Sequence, residues 1–152
     1  MYYDFCESPI GLVEVGGTSR GVTSLGFVEK RRERFESHPA VGKAVQQVME
    51  YFAGKRRTFE LELSLSGTEF QEKVWRQLLT VPYGHLASYQ DIAKAIGRPK
   101  AVRPVGAANG QNPIAIIVPC HRIIGSSGNL TGYGGGLWRK EWLLKHEGCI
   151  LP

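Results

Sequence analysis

The spacing of apolar residues changes along this chain, and that change limits the fold more than any other feature. Near the N-terminus the apolar positions fall in short runs punctuated by Gly and Pro. Tyr3 to Glu7 precedes the turn Ser8-Pro9-Ile10-Gly11, Leu12 to Val15 ends at Gly16-Gly17, and Val22 to Val28 follows. Each run has the length and boundaries of a strand. Val41, Ala44, Val45, Val48 and Phe52 then recur at helical spacing, with Gly54 as the stop. Alternation returns at Phe59, Leu61, Leu63 and Leu65 against Glu60, Glu62 and Ser64, which predicts a half-buried strand. Gly67 marks a boundary, and beyond it the pattern is helical at both ends. The expected class is therefore α+β: a small N-terminal β/α domain over 1–66, then a mostly helical C-terminal domain over 67–152.

The 152 residues are about one domain's worth on the usual figure of roughly 150. A fold of that size buries roughly 68–70% of its unfolded surface, enough for a core without disulfide or metal staples. With 42% hydrophobic and 22% charged residues, wholesale disorder is excluded. The longest apolar stretch, Ile114 to Val118, falls far short of the ~20 residues of a membrane span. Met1-Tyr2-Tyr3-Asp4-Phe5-Cys6-Glu7 shows no basic stretch followed by an apolar block, so no signal peptide is visible. A protein of a reducing cytosol or nucleus, without a membrane partner, is expected. The cysteines, Cys6, Cys120 and Cys149, are odd in number, widely spaced and without a C-x-x-C pair. They suggest neither a disulfide framework nor a zinc knuckle, although one pair would bridge if the fold brought it together. No metal site and no cofactor are expected.

Charge separates the two halves again. Residues 1–66 hold nine Lys and Arg against nine Asp and Glu, whereas 67–152 hold ten against five. The whole excess behind the net charge of +5 thus lies in the second half, which suggests a polyanionic partner there. Basic domains that bind nothing in particular share this feature. The run Glu29-Lys30-Arg31-Arg32-Glu33-Arg34 carries both signs, so it reads as a solvated connector rather than a nuclear address.

In the second half, Thr68 with Gln71 is a capping-box signature, and Phe70, Val74 and Leu78 supply one apolar helix face. Val81-Pro82-Tyr83-Gly84 breaks that helix. Ser88 with Asp91 opens a short second helix in which Ile92, Ala93 and Ile96 face inward, and Gly97 closes it. Arg98-Pro99-Lys100 is the turn before a third helix that runs to about Asn109-Gly110. Helix, short Gly-containing turn, helix is the helix-turn-helix pattern, with Arg98, Lys100 and Arg103 where a recognition helix meets DNA. An ordinary αα-corner reads the same in a single sequence.

The β-branched run Ile114-Ala115-Ile116-Ile117-Val118 predicts a buried strand. It ends in Pro119-Cys120-His121-Arg122, so a rigid element delivers a thiol, an imidazole and a guanidinium to one point. Cationic neighbours lower a thiol's pKa, and the thiolate is the nucleophile. An inert buried cysteine is the plainer reading of Cys120; against it, two flanking polar groups would need partners if buried. On extended chain His121 points away from the sulfur, so a water is a reasonable intermediary. Six of the twelve residues from Gly125 to Gly136 are glycine, as in a loop that approaches a ligand closely or one that is simply flexible. A last helix runs from Leu137 to Glu147. A carboxylate at a helix C-terminus is disfavoured by the macrodipole, so Glu147 is either solvated or a partner for His121.

Ile117-Val118-Pro119-Cys120-His121-Arg122-Ile123-Ile124 resembles the active-site signature of the O(6)-alkylguanine-DNA alkyltransferases, the methylated-DNA–protein-cysteine methyltransferases. The surrounding motifs agree: Phe70-Gln71 through Val74-Trp75, Pro82-Tyr83-Gly84, Ser88-Tyr89, Arg98-Pro99-Lys100-Ala101-Val102-Arg103, Asn112-Pro113, and Gly132-Tyr133 through Gly136. The likeness runs over roughly 68–148 without gaps, while the first segment fits the family's variable N-terminal domain only loosely. It implies a suicide repair protein that flips an alkylated guanine out of duplex DNA and moves the alkyl group irreversibly to its own cysteine. By position Cys120 is then the acceptor, His121 deprotonates it through a water, and Glu147 orients His121. Tyr89 assists the leaving guanine, and Asn112 fixes the turn into the active-site segment. Arg103 fills the gap left by the flipped base, and Ser88, Tyr89, Gln90, Arg98, Lys100 and Ser126 contact DNA. Tyr133, Gly134, Ile123 and Lys140 form the substrate pocket. The implied partner is double-stranded DNA carrying O(6)-alkylguanine, bound by a monomer.

One position departs from the family's pattern. Pro104 follows Arg103 where a small helix former is usual. Proline restricts the residue before it to extended backbone, so the recognition helix is expected to begin near Pro104 with Arg103 just outside it, or to be kinked if it starts earlier. The metal site of some relatives is not supported, since Cys6 has no Cys or His ligand near it in sequence. Three rival readings fit less well. Non-catalytic lesion binders replace the acceptor Cys, a cysteine hydrolase leaves the helix-turn-helix unexplained, and a plain regulator lacks a dimerisation element.

Overall fold

Two hairpins build the first sheet. Strands β1 (Tyr2–Ser8), β2 (Gly11–Thr18) and β3 (Gly21–Val28) form an antiparallel meander in that order. The sequence predicts an end to β2 at Gly16-Gly17, but the strand runs through both glycines with a register shift between them. They serve close packing. A Cβ on Gly16 would sit 2.5 Å from the Ser24 hydroxyl, and one on Gly17 would sit 2.5 Å from the Gly21 carbonyl. Helix α1 (Pro39–Phe52) lies on this sheet, capped by the His38 ring and burying Val41, Ala44, Val45 and Val48 against Phe5, Val13, Val15 and Leu25.

The strand expected at Phe59–Leu65 does not form as a ladder strand. Its alternation survives in burial as far as Leu63, with Phe59, Leu61 and Leu63 half-buried and Glu60 and Glu62 exposed, but Ser64 is half-buried like Leu65. Backbone pairing is confined to a parallel bridge between Val22 and Leu63. The reason lies in a buried side chain of α1: Gln47 donates to the Glu60 carbonyl at 3.1 Å and accepts from the Glu60 amide at 2.9 Å. The peptide groups a neighbouring strand would need are thereby taken. The charged connector is exposed as expected, but it is tied down. Arg32 forks onto Glu14 at 3.0 and 3.3 Å and lies 3.8 Å over the Tyr3 ring.

The described residues are 1–149, and the chain divides into two units, Met1–Ser66 and Gly67–Pro152. Among the described residues no helix is long and apolar enough to cross a membrane. In the second unit, α2 (Glu69–Leu78) starts at the Thr68/Gln71 capping box and buries Val74, Trp75 and Leu78. The Trp75 indole N–H donates to the Ala108 carbonyl at 2.8 Å, a contact across 33 residues of sequence. Strand β4 (Ala87–Ser88) pairs in parallel with β5 (Ile123–Ile124). Helix α3 (Tyr89–Ala95) opens on the Ser88/Asp91 capping box, and Gly97, at φ 78°, closes it into the turn before α4 (Val102–Gly110). Helix α5 (Leu137–His146) buries Leu143 and Leu144.

Two expectations in this unit need correction. Ile114–Val118 is buried, with Ile114, Ile116 and Val118 each at 0% exposure, but it is a compact turn and not a strand. The Val118 amide bonds back to the Ile114 carbonyl at 3.0 Å. The Asn112 side chain takes the other two groups, donating to Val118 O at 2.8 Å and accepting from Ile114 N at 3.0 Å. Apolarity reported burial correctly; a side chain in place of a strand partner set the backbone. Helix α4, for its part, begins at Val102, so Arg103 lies inside it and Pro104 is third in its first turn. The amides of a helix's first turn have no intrahelical acceptor, so the missing proline N–H removes no helix bond.

Candidate active site

Asn112 is the start of the site's construction. Its two hydrogen bonds draw 114–118 into the tight turn, and Ile116 is held there at φ 70°. A β-branched residue in that region is strained, by an amount of order 1–3 kcal/mol. The turn hands over at Pro119 to a 3₁₀ turn, Cys120–Arg122, and then to β5. Cys120, His121 and Arg122 are therefore not on extended chain, and all three are buried.

The buried ionic frame closes on Glu147, the C-cap residue of α5. Arg122 forks onto its carboxylate, Nε to Oε1 at 2.7 Å and Nη2 to Oε2 at 3.0 Å, and donates Nη1 to the Val81 carbonyl at 2.8 Å. His121 Nε2 meets the same Oε2 at 2.7 Å. Burial works against this carboxylate, but the hydrogen bonds and charges of His121 and Arg122 outweigh it and hold Glu147 well below the usual carboxylate range. That settles which ring nitrogen of His121 carries its proton. An ionised carboxylate only accepts, so Nε2 bears the hydrogen. Burial also lowers the His121 pKa against the pull of Glu147, so the ring is neutral and Nδ1 presents a bare lone pair. Nδ1 is buried and has no hydrogen-bond partner, so it does not bond the thiol directly.

At Cys120, burial raises the thiol pKa, while a hydrogen bond from Asn112, the charge of Lys140 and backbone N–H groups oppose the rise. The group is a neutral thiol at rest with the donors of a thiolate already around it. Lys140 is fully buried, and its Nζ donates to Ile123 O at 2.5 Å and Thr131 O at 2.7 Å. Desolvation brings its pKa down to about 8. The Tyr133 hydroxyl is buried without a partner, and burial together with the Cys120 sulfur raises it well above the ordinary range. A neutral imidazole one residue from the thiol, anchored by an anion and open at its second nitrogen, can take the thiol's proton.

The structure thus gathers Cys120, His121, Glu147, Asn112, Lys140, Tyr133 and Ile123 around one buried point. Tyr89, first residue of α3, accepts at its hydroxyl from Thr131 Oγ1 at 2.9 Å and donates to the Thr131 carbonyl at 3.4 Å. Ser88 accepts the Asp91 amide at 3.0 Å as N-cap, and Gln90 donates to Pro99 O at 2.9 Å. Arg98, Lys100 and Arg103 are exposed on the turn and the start of α4. Ser126 and Gly134 are exposed positions in the loops before α5. Sequence reasoning missed Arg122 as the fork that holds Glu147. The signal was present, a helix-terminal carboxylate that needed a cation. It also missed Asn109, which is buried and donates to the Cys120 carbonyl at 3.4 Å; nothing in its surroundings in sequence marks it.

A family model described as 6-O-methylguanine DNA methyltransferase, DNA binding domain, matches residues 69–149, and one described as its ribonuclease-like domain matches residues 1–65. The chain belongs to the 6-O-methylguanine DNA methyltransferase family. A methylated-DNA–protein-cysteine methyltransferase of Mycobacterium bovis is 50% identical, covering 100% of this chain and 95% of its own length. One of Methanosarcina barkeri is 46% identical over 97% of each chain. Among solved structures, Mycobacterium tuberculosis OGT in complex with DNA superimposes with a TM-score of 0.89 at 51% identity, covering 97% of this chain and 92% of that one. All the site residues above lie inside the stretch matched by the family's DNA-binding model. Among the described residues no cluster of three His, Cys, Asp or Glu side chains is arranged to hold a metal ion.

Proposed function

We propose that this chain repairs DNA by taking an alkyl group from the O(6) position of guanine onto Cys120, once per molecule. The observation that carries this reading is the frame around the thiol: Asn112 on the sulfur and a neutral, Glu147-anchored His121 next to it. The Cys120 proton passes through a water to His121 Nδ1, leaving a thiolate beside an imidazolium that Glu147 stabilises. The sulfur attacks the alkyl carbon, an S–C bond forms, and the bond from that carbon to O(6) breaks. Charge developing on the departing guanine is met by a hydrogen bond from Tyr89, with Lys140 as a nearby cation. A thioether has no easy hydrolytic exit, so the protein is spent.

Reaching O(6) in a duplex requires extruding the base, at a cost of a few kcal/mol that a pocket must recover. Tyr133, Gly134 and Ile123 line that pocket. Arg103, on the exposed start of α4, enters the duplex in place of the base. Arg98, Lys100, Ser88, Gln90 and Ser126 bind backbone, in the sequence-independent manner a lesion scanner needs. On this reading 67–152 is the DNA-binding and alkyl-acceptor domain, 1–66 is accessory, and a cytoplasmic monomer suffices. The test is stoichiometry. With duplex carrying O(6)-methylguanine in large excess, demethylation should stop at one lesion per chain, whereas continuing turnover would refute the reading. Arg103→Ala should slow repair in duplex on the order of tenfold while leaving reaction with free O(6)-alkylguanine within a few-fold; equal losses on both would remove the insertion role.

A further inference from the structure

We propose that Asn109 is a positioning residue for thiol activation: its Oδ1 and His121 Nδ1 together accept the two hydrogens of one water, and that water accepts the Cys120 proton. The inference rests on the reading of Cys120 as alkyl acceptor and deepens it. Asn109 sits in the last turn of α4, 3% exposed. Its Nδ2 donates to the Cys120 carbonyl at 3.4 Å. A carbonyl only accepts, so this contact fixes which way the amide points and directs Oδ1 elsewhere. Both Oδ1 and His121 Nδ1 are buried without a partner. A buried polar atom left so forfeits the hydrogen bond it had to water, so each needs an explanation.

Two acceptors cannot bond each other, so the pair needs hydrogens from elsewhere. The polar groups around the site are committed. Glu147 faces Arg122 and His121 Nε2, Arg122 also reaches Val81 O, and Lys140 is on Ile123 O and Thr131 O. The Asn112 amide is on Val118 and Ile114. The Tyr133 hydroxyl carries one hydrogen and cannot serve both acceptors. A single water supplies two hydrogens and retains lone pairs for the thiol, which satisfies all three groups. In the transfer, the S–H proton moves to the water oxygen as one water hydrogen moves to Nδ1. The products are a thiolate, an imidazolium and the same water, still held by Asn109. Because Asn109 and Arg103 share α4, the helix that meets DNA also holds the relay.

The test measures the rate of methyl uptake from O(6)-methylguanine duplex against pH for the full chain and the variants Asn109→Leu, Asn109→Ala and Asn109→Ser. The charged and titratable groups bearing on His121 are Glu147, Arg122 and Lys140, while Lys140 and Tyr133 bear on Cys120 and Arg139 on Tyr133; all are common to every variant. Asn109→Leu and Asn109→Ala should be slower on the order of tenfold at neutral pH, less than loss of the base itself. Their deficit should shrink as pH rises, because hydroxide then ionises the thiol without the relay. Asn109→Ser differs from Asn109→Ala by one oxygen and should stay within a few-fold of the unmodified chain. Equal rates for Ser and Ala, or a deficit constant across pH, overturn the proposal even if Asn109→Leu fails to fold. An unmodified chain that takes up no methyl would instead fail the alkyl-acceptor reading, before any variant is compared.

Discussion

Cys6 and Cys120 are buried to nearly the same degree, 5% and 6% exposed, and their surroundings are opposite. Cys6 lies on β1 between Asp4 and Glu7. Burial pushes its thiol up to about 11 and both carboxylates push the same way, with Arg31 opposing. Cys120 lies on a 3₁₀ turn where burial also raises the thiol, but Asn112, Lys140 and backbone N–H groups pull against it. Depth of burial therefore does not decide which sulfur can become an anion. What decides is whether the charges and hydrogen bonds around the sulfur favour its anion, as at Cys120, or oppose it, as at Cys6.

Cys120→Ser should abolish methyl uptake, while Cys6→Ser leaves its rate within a few-fold in the same assay; comparable losses at both would erase the distinction. Next, Glu147→Ala leaves Arg122 buried without its anion. Breaking such a pair from one side costs about 3–5 kcal/mol, and losing the anchored base should slow uptake by roughly 10²–10⁴. Chemical denaturation should further show this gap narrowing in acid. A carboxylate held below its ordinary 4.5 adds stability above that pH and loses it as pH falls toward the folded value.

Lys140 gives a smaller effect of opposite sense. Its folded pKa of about 8 lies below the ordinary 10.5, so between those values the unfolded chain binds the extra proton and stability rises with pH. Denaturation curves for the unmodified chain and Lys140→Met should diverge across that window by up to about 3 kcal/mol; parallel curves would mean the lysine keeps its ordinary pKa. Smallest of all, Asp4→Asn in a Cys120→Ser background should lower the Cys6 thiol by less than about one pH unit. Thiolate absorbance during titration measures it, and no change would mean Asp4 does not contribute.

The two capping boxes, Thr68/Gln71 and Ser88/Asp91, were legible because a cap is a contact three residues long. Cys120, His121, Asn112 and Glu147 were legible as a set through the family motif, and Glu147 also through a local conflict with the helix dipole. Where reading failed, a side chain had taken a strand's place. Gln47 satisfies the backbone at Glu60, and Asn112 satisfies it at Ile114 and Val118, so apolar patterning gave burial and not backbone. Pro104 misled in a different way. A rule about the residue before proline placed Arg103 outside the helix, but a first turn that lacks acceptors tolerates the ring. Asn109 was hidden because its partner lies 11 residues away, a distance no local pattern spans, whereas Arg122 was signalled by a helix-terminal Glu147 that needed a cation.

On the proposed reading, the donors around Cys120 make that one buried thiol the alkyl acceptor. Incubation with O(6)-methylguanine duplex, followed by peptide-resolved mass measurement, tests it directly. A methyl confined to the Cys120 peptide, with the Cys6 peptide unchanged, is the expected result; a methyl on Cys6, or on neither, would contradict it.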